Sequence, residues 1–255
     1  MNDIPVLLTP EPSAPEQRPG PMGNRLLAAL PAADFHRWQP HLAMVDLSLG
    51  QVLSEPGTDA THAYFPLNSI VSLLYVMDNG DSAEIALVGK DGMLGVTLFM
   101  GGNSSTIRAV VQSAGQALRM PAEALMAELG RGGAPLRLLL LYTQSLLTQM
   151  TQTAACNRHH TLNEQFSRWL LLSFDRLGGP DMVMTQKLIA KMLGVTGEAV
   201  TASAMALKAT GAIDYQNGEI RMLDRGLLER SSCECYGVVK RECDRLMPPA
   251  LTAGG

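Results

Sequence analysis

Thr185-Gln186-Lys187-Leu188-Ile189-Ala190-Lys191-Met192-Leu193-Gly194-Val195-Thr196-Gly197-Glu198-Ala199-Val200-Thr201-Ala202 is the stretch that decides the architecture of the second half of the chain. Thr185 stands where a first helix needs an N-cap, and Gly194 where the backbone must turn through the left-handed region. Thr196 caps a second helix, with Glu198 in its first turn to complement the dipole. Ile189, Ala190 and Val200 have the spacing to pack the two helices together, which makes a helix-turn-helix. Directly after it come Ala212 to Tyr215, then Gln216-Asn217-Gly218, then Glu219 to Leu223. Asn-Gly supplies the positive φ angles of a tight hairpin turn. Two short helices followed by a hairpin outline a winged helix-turn-helix.

Moving upstream, Pro135 opens a run without Gly or Pro that lasts until Gly178-Gly179-Pro180, with one bend expected near His159 to Asn163. In this long helix Leu136, Leu139, Thr143, Leu146, Met150, Thr153 and Asn157 step by three and four, and Leu140, Leu147 and Ala154 form a second apolar line beside them. One line packs on the chain's own barrel, and the other is free for the same helix of a second subunit. The expected dimer seam is Leu139, Thr143, Leu146, Met150 and Thr153; a single wide stripe buried within one subunit is the alternative.

Further upstream the period changes from helix to strand. Gln51 to Leu53, Ala63 to Phe65, Ile70 to Met77, Ser82 to Val88 and Ile107 to Gln112 are short β-like runs broken by turn residues, and Asp78-Asn79-Gly80-Asp81 is a second Asn-Gly hairpin signal. Strands at this spacing suggest a small antiparallel barrel or jelly roll. Pro121 opens a helix through Leu129, stopped by Gly130. Two short amphipathic helices, separated by Pro31, are expected after Asn24. The first 22 residues hold six prolines in a polar, aperiodic context and read as a disordered tail. The fold class is therefore α+β: barrel at 23–130, dimerisation helix at 131–160, winged helix-turn-helix at 161–247, and a short tail at 248–255.

Composition agrees with a core-building chain: 255 residues, 46% hydrophobic and 17% charged, with a net charge of −4. The four cysteines and the lack of a charged-apolar-small leader favour a reducing cytoplasm. The densest apolar run, Leu136 to Tyr142, is far shorter than the ~20 residues of a bilayer span, so no membrane partner is expected. Residues 1–160 carry 9 bases and 13 acids, and 161–255 carry 11 of each. Binding to nucleic acid must therefore use a local patch rather than a general positive field. There is no G-x-S-x-G elbow, Walker loop or H-E-x-x-H, and the barrel offers only His62 where a metal-binding cupin needs a cluster, so no catalytic residue and no enzyme activity are expected.

The chain resembles the Crp/Fnr family of bacterial transcription regulators. The most specific pieces are Cys156-Asn157-Arg158 with His160, Arg168-Trp169-Leu170-Leu171, Asp175-Arg176, the helix-turn-helix quoted above, Leu223-Asp224-Arg225 and Cys233-Glu234-Cys235-Tyr236-Gly237. In the barrel, Gly50, Gly57, Tyr64-Phe65-Pro66 and Val88-Gly89-Lys90-Asp91-Gly92 match the family's turns. The resemblance, over roughly residues 24–247, implies a cyclic-nucleotide-binding-like sensor barrel, a homodimer, double-stranded DNA as partner and contact with RNA polymerase. It leaves the small-molecule effector and its pocket unassigned and calls for no cofactor.

Two departures matter. Nucleotide-binding members place a Glu after a glycine and an Arg about ten residues on to grip the cyclic phosphate; those places hold Met93 and Ser105, and Arg108 is expected to point out of the barrel. Side chains such as Leu87, Leu94 and Leu98 are expected to fill the pocket instead. In the recognition helix, places often held by arginine hold Gly197 and Ala202. Glu198 is left to accept from a cytosine amino group and Thr201 to meet a thymine methyl or a phosphate. Gln186, Lys187, Lys191 and Lys208 are backbone-contact candidates, beside the capping Thr185 and Thr196. A protein-interaction module with a degenerate helix-turn-helix is the competing function. Oxygen-sensing relatives hold an iron–sulfur cluster with N-terminal cysteines, which the first 155 residues lack. Cys233, Cys235 and Cys243 follow C-x-C-x₇-C, outside the paired zinc spacing, and His159-His160 reads as a helix-end pair, so no metal is expected.

Overall fold

The structure is a computed structural model that describes residues 20–216 and 218–247. Of the expected tails, 1–19 and 248–255 lie outside the described residues, as does Asn217 at the tip of the second hairpin. A 3-10 turn at Pro21–Gly23 leads into α1 (Arg25–Ala28) and α2 (Ala32–Trp38). Asn24 caps α1 with its side-chain oxygen, while its amide donates to the backbone oxygens of Pro66 and Gly92. The first helix is thereby pinned to the barrel.

The barrel is built from two antiparallel sheets. β1 (Ala43–Leu47), β7 (Gly115–Pro121) and β3 (His62–Pro66) form one, in the order β1-β7-β3. β2 (Val52–Ser54), β6 (Ile107–Ser113), β4 (Ile70–Val76) and β5 (Ser82–Val88) form the other, in the order β2-β6-β4-β5. β1 and β7 are absent from the sequence expectation: Ala43–Leu47 is mostly exposed and Gly115–Pro121 begins with Gly and ends with Pro, so neither shows a clean alternation. Between the sheets lie Trp38, Phe65, Val71, Val111 and Leu118, with the Trp38 and Phe65 ring centroids 6.2 Å apart. At the β4–β5 turn Asp81 N–H donates to the Asn79 side-chain oxygen, and Gly80 takes φ +87°. α3 (Val96–Met100) sits between β5 and β6, and α4 (Ala122–Leu129) follows β7.

α5 (Ala134–His159) is the long helix, with Pro135 in its first turn. It ends at His160, whose backbone is extended, and Thr161 starts α6 (Leu162–Leu177) through a reciprocal capping box with Glu164. The expected bend is thus a two-residue break. β8 (Asp181–Val183), α7 (Gln186–Leu193), α8 (Gly197–Ala209), β9 (Ile213–Gln216) and β10 (Glu219–Met222) build the helix-turn-helix and its wing, with sheet order β8-β10-β9. β8 pairs with the outer edge of the hairpin, a third strand too short for its three residues to show a period. α9 (Arg225–Arg230) and α10 (Glu234–Leu246) close the chain, and α10 returns to pack on α5.

A second core joins the two halves. Ile70, Leu74 and Leu87 on the outer face of the β4–β5 sheet pack with Phe166, Trp169 and Leu170 of α6 and with Ile189, Val200 and Leu207 of the helix-turn-helix. Within this contact Glu84 is fully buried, accepting from the Trp169 indole N–H at 2.9 Å. Burial pushes its carboxyl up to about 7, although the nearby Ser72 hydroxyl, Arg168 and Trp169 pull it down.

Candidate nucleic-acid interface and effector cavity

Thr185 accepts from Leu188 N–H and Thr196 from Ala199 N–H, both at 3.3 Å, so each threonine caps its helix. Gly194 makes the turn at φ +67°, and Ile189, Ala190, Val200 and Ala204 are buried between the helices. Gln186, Lys187, Lys191 and Glu198 are exposed, together with the two caps. The two remaining candidates are engaged elsewhere. Thr201 is half-buried and its hydroxyl donates to the Gly197 carbonyl at 2.9 Å, a back-bond that occupies the proton. Lys208 pairs with Asp214 at 2.7 Å across the start of the wing, which holds the Asp214 carboxyl below its ordinary value.

Sequence reasoning passed over what α8 does present to solvent. Ala202, Met205 and Ala206 are exposed along one face with Glu198, and Met205 is 54% exposed. The cue was the absence of arginine itself, because a helix face without polar length offers only methyl and thioether surface. The wing is locally acidic: Asp181, Asp214 and Glu219 surround Arg221, which pairs with Asp181 at 2.6 Å.

In the barrel a cavity of about 230 Å³ opens between the sheets and α5. Leu53, Leu73, Met93, Leu94, Val96 and Ile107 line it from the barrel, and Thr143, Leu146, Leu147 and Met150 from α5. Ser54, Thr58, Asp59, Thr61, His62 and Ser105 supply its polar groups, and no Arg or Lys occurs among the described lining residues. Met93 is fully buried and its carbonyl accepts from the Tyr142 hydroxyl of α5 at 2.9 Å. Arg108 lies outside the lining and pairs with Glu55 at 2.7 Å. The expected filling of the pocket is only partly met: Leu94 lines the space, but Leu87 and Leu98 pack elsewhere and the cavity stays open. His62 rests against Thr61, its Nδ1 2.9 Å from the hydroxyl, and partial burial lowers its pKa, helped by the Arg119 charge.

The residues expected at a dimer seam are placed inward. Leu139, Thr143, Leu146 and Thr153 are buried within the chain and Met150 is half-buried; Leu139, Leu146 and Met150 pack on the barrel core, Thr143 lines the cavity, and Thr153 accepts from Arg168 of α6 at 3.2 Å. The exposed line is the second one: Leu140 is 52% and Leu147 55% exposed, and Gln144, Thr151 and Ala154 continue the same three-four spacing.

Cysteine placement goes beyond what spacing along the chain shows. Cys156 at the end of α5, His160 at the break, and Cys233 and Cys235 at the start of α10 come together, although 73 residues separate His160 from Cys233. Their ligand atoms all lie within 4.8 Å of one another. Local spacing was uninformative because two of the four residues come from another element.

Two families match the chain. The cyclic nucleotide-binding domain matches residues 44–131 and the Crp-like helix-turn-helix domain residues 164–231. Among solved structures, FixK2 from Bradyrhizobium japonicum is 17% identical with a TM-score of 0.63, covering 75% of this chain and 98% of its own. TTHB099, a Crp family transcriptional regulator from Thermus thermophilus, is 16% identical with a TM-score of 0.60, covering 74% and 96%. CLP, a c-di-GMP responsive global regulator from Xanthomonas campestris, is 14% identical with a TM-score of 0.56, covering 76% and 100%. No curated protein matches.

Proposed function

The chain belongs to the Crp/Fnr family of DNA-binding transcription regulators, and from that membership we propose that it acts in the cytoplasm as a homodimer whose barrel takes a largely apolar effector in place of a cyclic nucleotide. The observation that carries the effector reading is the cavity wall. A cyclic phosphate keeps a full negative charge, and taking it out of water without a bidentate guanidinium leaves its desolvation uncompensated. By the resemblance, Met93 and Ser105 stand where the family's nucleotide binders grip that charge, and the described lining holds no Arg or Lys. A small molecule with one or two hydrogen-bonding groups suits Thr61, His62 and Ser105 against a leucine- and methionine-rich wall.

Thr143, Leu146 and Met150 form one side of the cavity, so an occupant pushes directly on α5. We assign the subunit contact to the exposed line of α5, Leu140, Leu147 and Ala154, with Gln144 and Thr151 between them. The units divide as sensor barrel 23–130, coupling helix 131–160 and DNA-binding unit 161–247. RNA polymerase is carried as a further partner on the family's account. On DNA, Lys187 and Lys191 neutralise phosphate, Glu198 meets a cytosine amino group, and Ala202 and Met205 contact thymine methyls.

Calorimetry and a selection from random duplexes test this reading. Cyclic AMP and cyclic GMP are expected to show no low-micromolar binding, and low-micromolar affinity for either refutes the effector assignment. The selection is expected to enrich a two-fold-related sequence. Absence of enrichment over a Lys187→Ala, Lys191→Ala control would return the winged helix to a protein-interaction role.

A further inference from the structure

The cluster of Cys156, His160, Cys233 and Cys235 has no part in reading DNA or in holding an effector, yet it has the composition and enclosure of a ligand set. Cys156, Cys233 and Cys235 are buried in a small core of their own, separate from the two main ones. The Cys156 and Cys233 sulfurs are 3.5 Å apart, and Cys235 Sγ is 3.6 Å from His160 Nδ1. A tetrahedral zinc ion with ordinary Zn–S and Zn–N bonds sets sulfur–sulfur edges of about 3.8 Å and sulfur–nitrogen edges of about 3.5 Å. Closing the set onto an ion therefore takes side-chain shifts of about 1 Å or less.

The surroundings match those of a metal site. His160 Nε2 faces a Glu234 carboxylate oxygen at 3.3 Å, which leaves Nδ1 turned toward the cysteines, the carboxylate–histidine arrangement that orients a metal ligand. Cys233 occupies the N-cap of α10 without making a side-chain cap bond, and Cys235 lies in the first turn, so two sulfurs sit at the positive end of a thirteen-residue helix. Arg168, nearly fully buried, bears on Cys156 with its positive charge and has an Nε without a hydrogen-bond partner among the described residues. Three thiolates, a neutral imidazole and a divalent ion sum to one negative charge, which that guanidinium offsets.

We propose that Cys156, His160, Cys233 and Cys235 bind one zinc ion per chain, clamping the end of α5 and the α5–α6 break to the start of α10. Loading replaces thiol protons with the ion and releases them to solvent. This site is independent of the effector and of the DNA reading.

The test uses the full chain purified under reducing conditions. Metal analysis is expected to find one zinc per chain, with Cys243 alkylated and the other three cysteines protected. Stripping with a chelator should expose all four thiols and lower the Tm. Cobalt added to the stripped protein should give the charge-transfer and strong visible bands of a tetrahedral thiolate site. Cys235→Ser is expected to lose stoichiometric metal, Glu234→Gln to bind about tenfold more weakly, and Cys243→Ser to bind as wild type. If Cys235→Ser does not fold, thiol protection and the cobalt titration on the unaltered chain decide. Absence of cobalt bands in the reduced protein, an iron–sulfur chromophore, or zinc retained after serine replacement of all three cysteines would each overturn the proposal.

Discussion

Single side chains in the helix-turn-helix separate into those that face solvent and those that hold the unit together, and lysines fall in both groups. Lys187→Ala and Lys191→Ala are expected to weaken binding to all duplexes alike. Each should lower the salt slope by about one for every phosphate left without its lysine, about two for a dimer, in titrations at several salt concentrations. Lys208→Ala should leave that slope unchanged and cost little stability, because its ammonium is committed to a part-exposed pair with Asp214. Glu198→Ala should change which base is preferred. A second residue-scale expectation concerns Glu84, raised from 4.5 to about 7 in the folded chain. A folded carboxyl above its unfolded value binds more protons in the native state, so its favourable contribution is complete below 4.5 and is lost as pH rises to 7. The slope is about 1.4 kcal/mol per pH unit across that window. Glu84→Gln keeps an acceptor for Trp169 and should flatten this part of the stability profile in denaturant melts against pH. Caps were legible in the sequence because Thr and Gly act on their immediate neighbours. The occupation of Thr201 and Lys208 was not, since both depend on which way a side chain turns after the helix has formed.

At the scale of elements, α5 shows what periodicity specifies and what it leaves open. Two apolar lines run side by side from Leu136 to Asn157, and a helix that is apolar over a wide arc must bury both, but the pattern carries no label for which one meets the barrel. The barrel settles it: Tyr142 reaches the Met93 carbonyl, Gln149 donates to the Leu87 carbonyl, and Leu139 and Leu146 follow them inward. Leu147→Glu should therefore dissociate a dimer while leaving the fold of each chain intact. Leu146→Glu should instead destabilise the single chain by about 3–5 kcal/mol, because it buries an unpaired carboxylate. Sedimentation and thermal melts on both variants distinguish the faces: a Leu147→Glu chain of unchanged mass refutes the outer seam. The strands passed over, β1, β7 and β8, are those whose pairing comes from distant partners, not from an alternating pattern of their own.

Across the whole molecule, the winged helix-turn-helix and the barrel share one core, so the DNA-binding unit is not a free appendage. A pair of such chains is expected to cover two half-sites about one helical turn apart, which footprinting on a selected duplex measures. The order barrel, long helix, winged unit was legible from changes of period along the chain, whereas the meeting of Cys156 with Cys233 followed only from the return of α10 onto α5. One residue belongs to two surfaces at once: Leu147 lines the cavity and stands on the exposed line of α5. With the proposed effector and subunit contact both touching Leu147, cavity occupancy and subunit association are expected to be thermodynamically linked, and linkage is reciprocal. Whatever factor an effector gains from the assembled pair, the pair must gain from the effector. Effector affinity measured at protein concentrations above and below the dissociation midpoint should differ by that factor, and the Leu147→Glu chain should show a single affinity at every dilution.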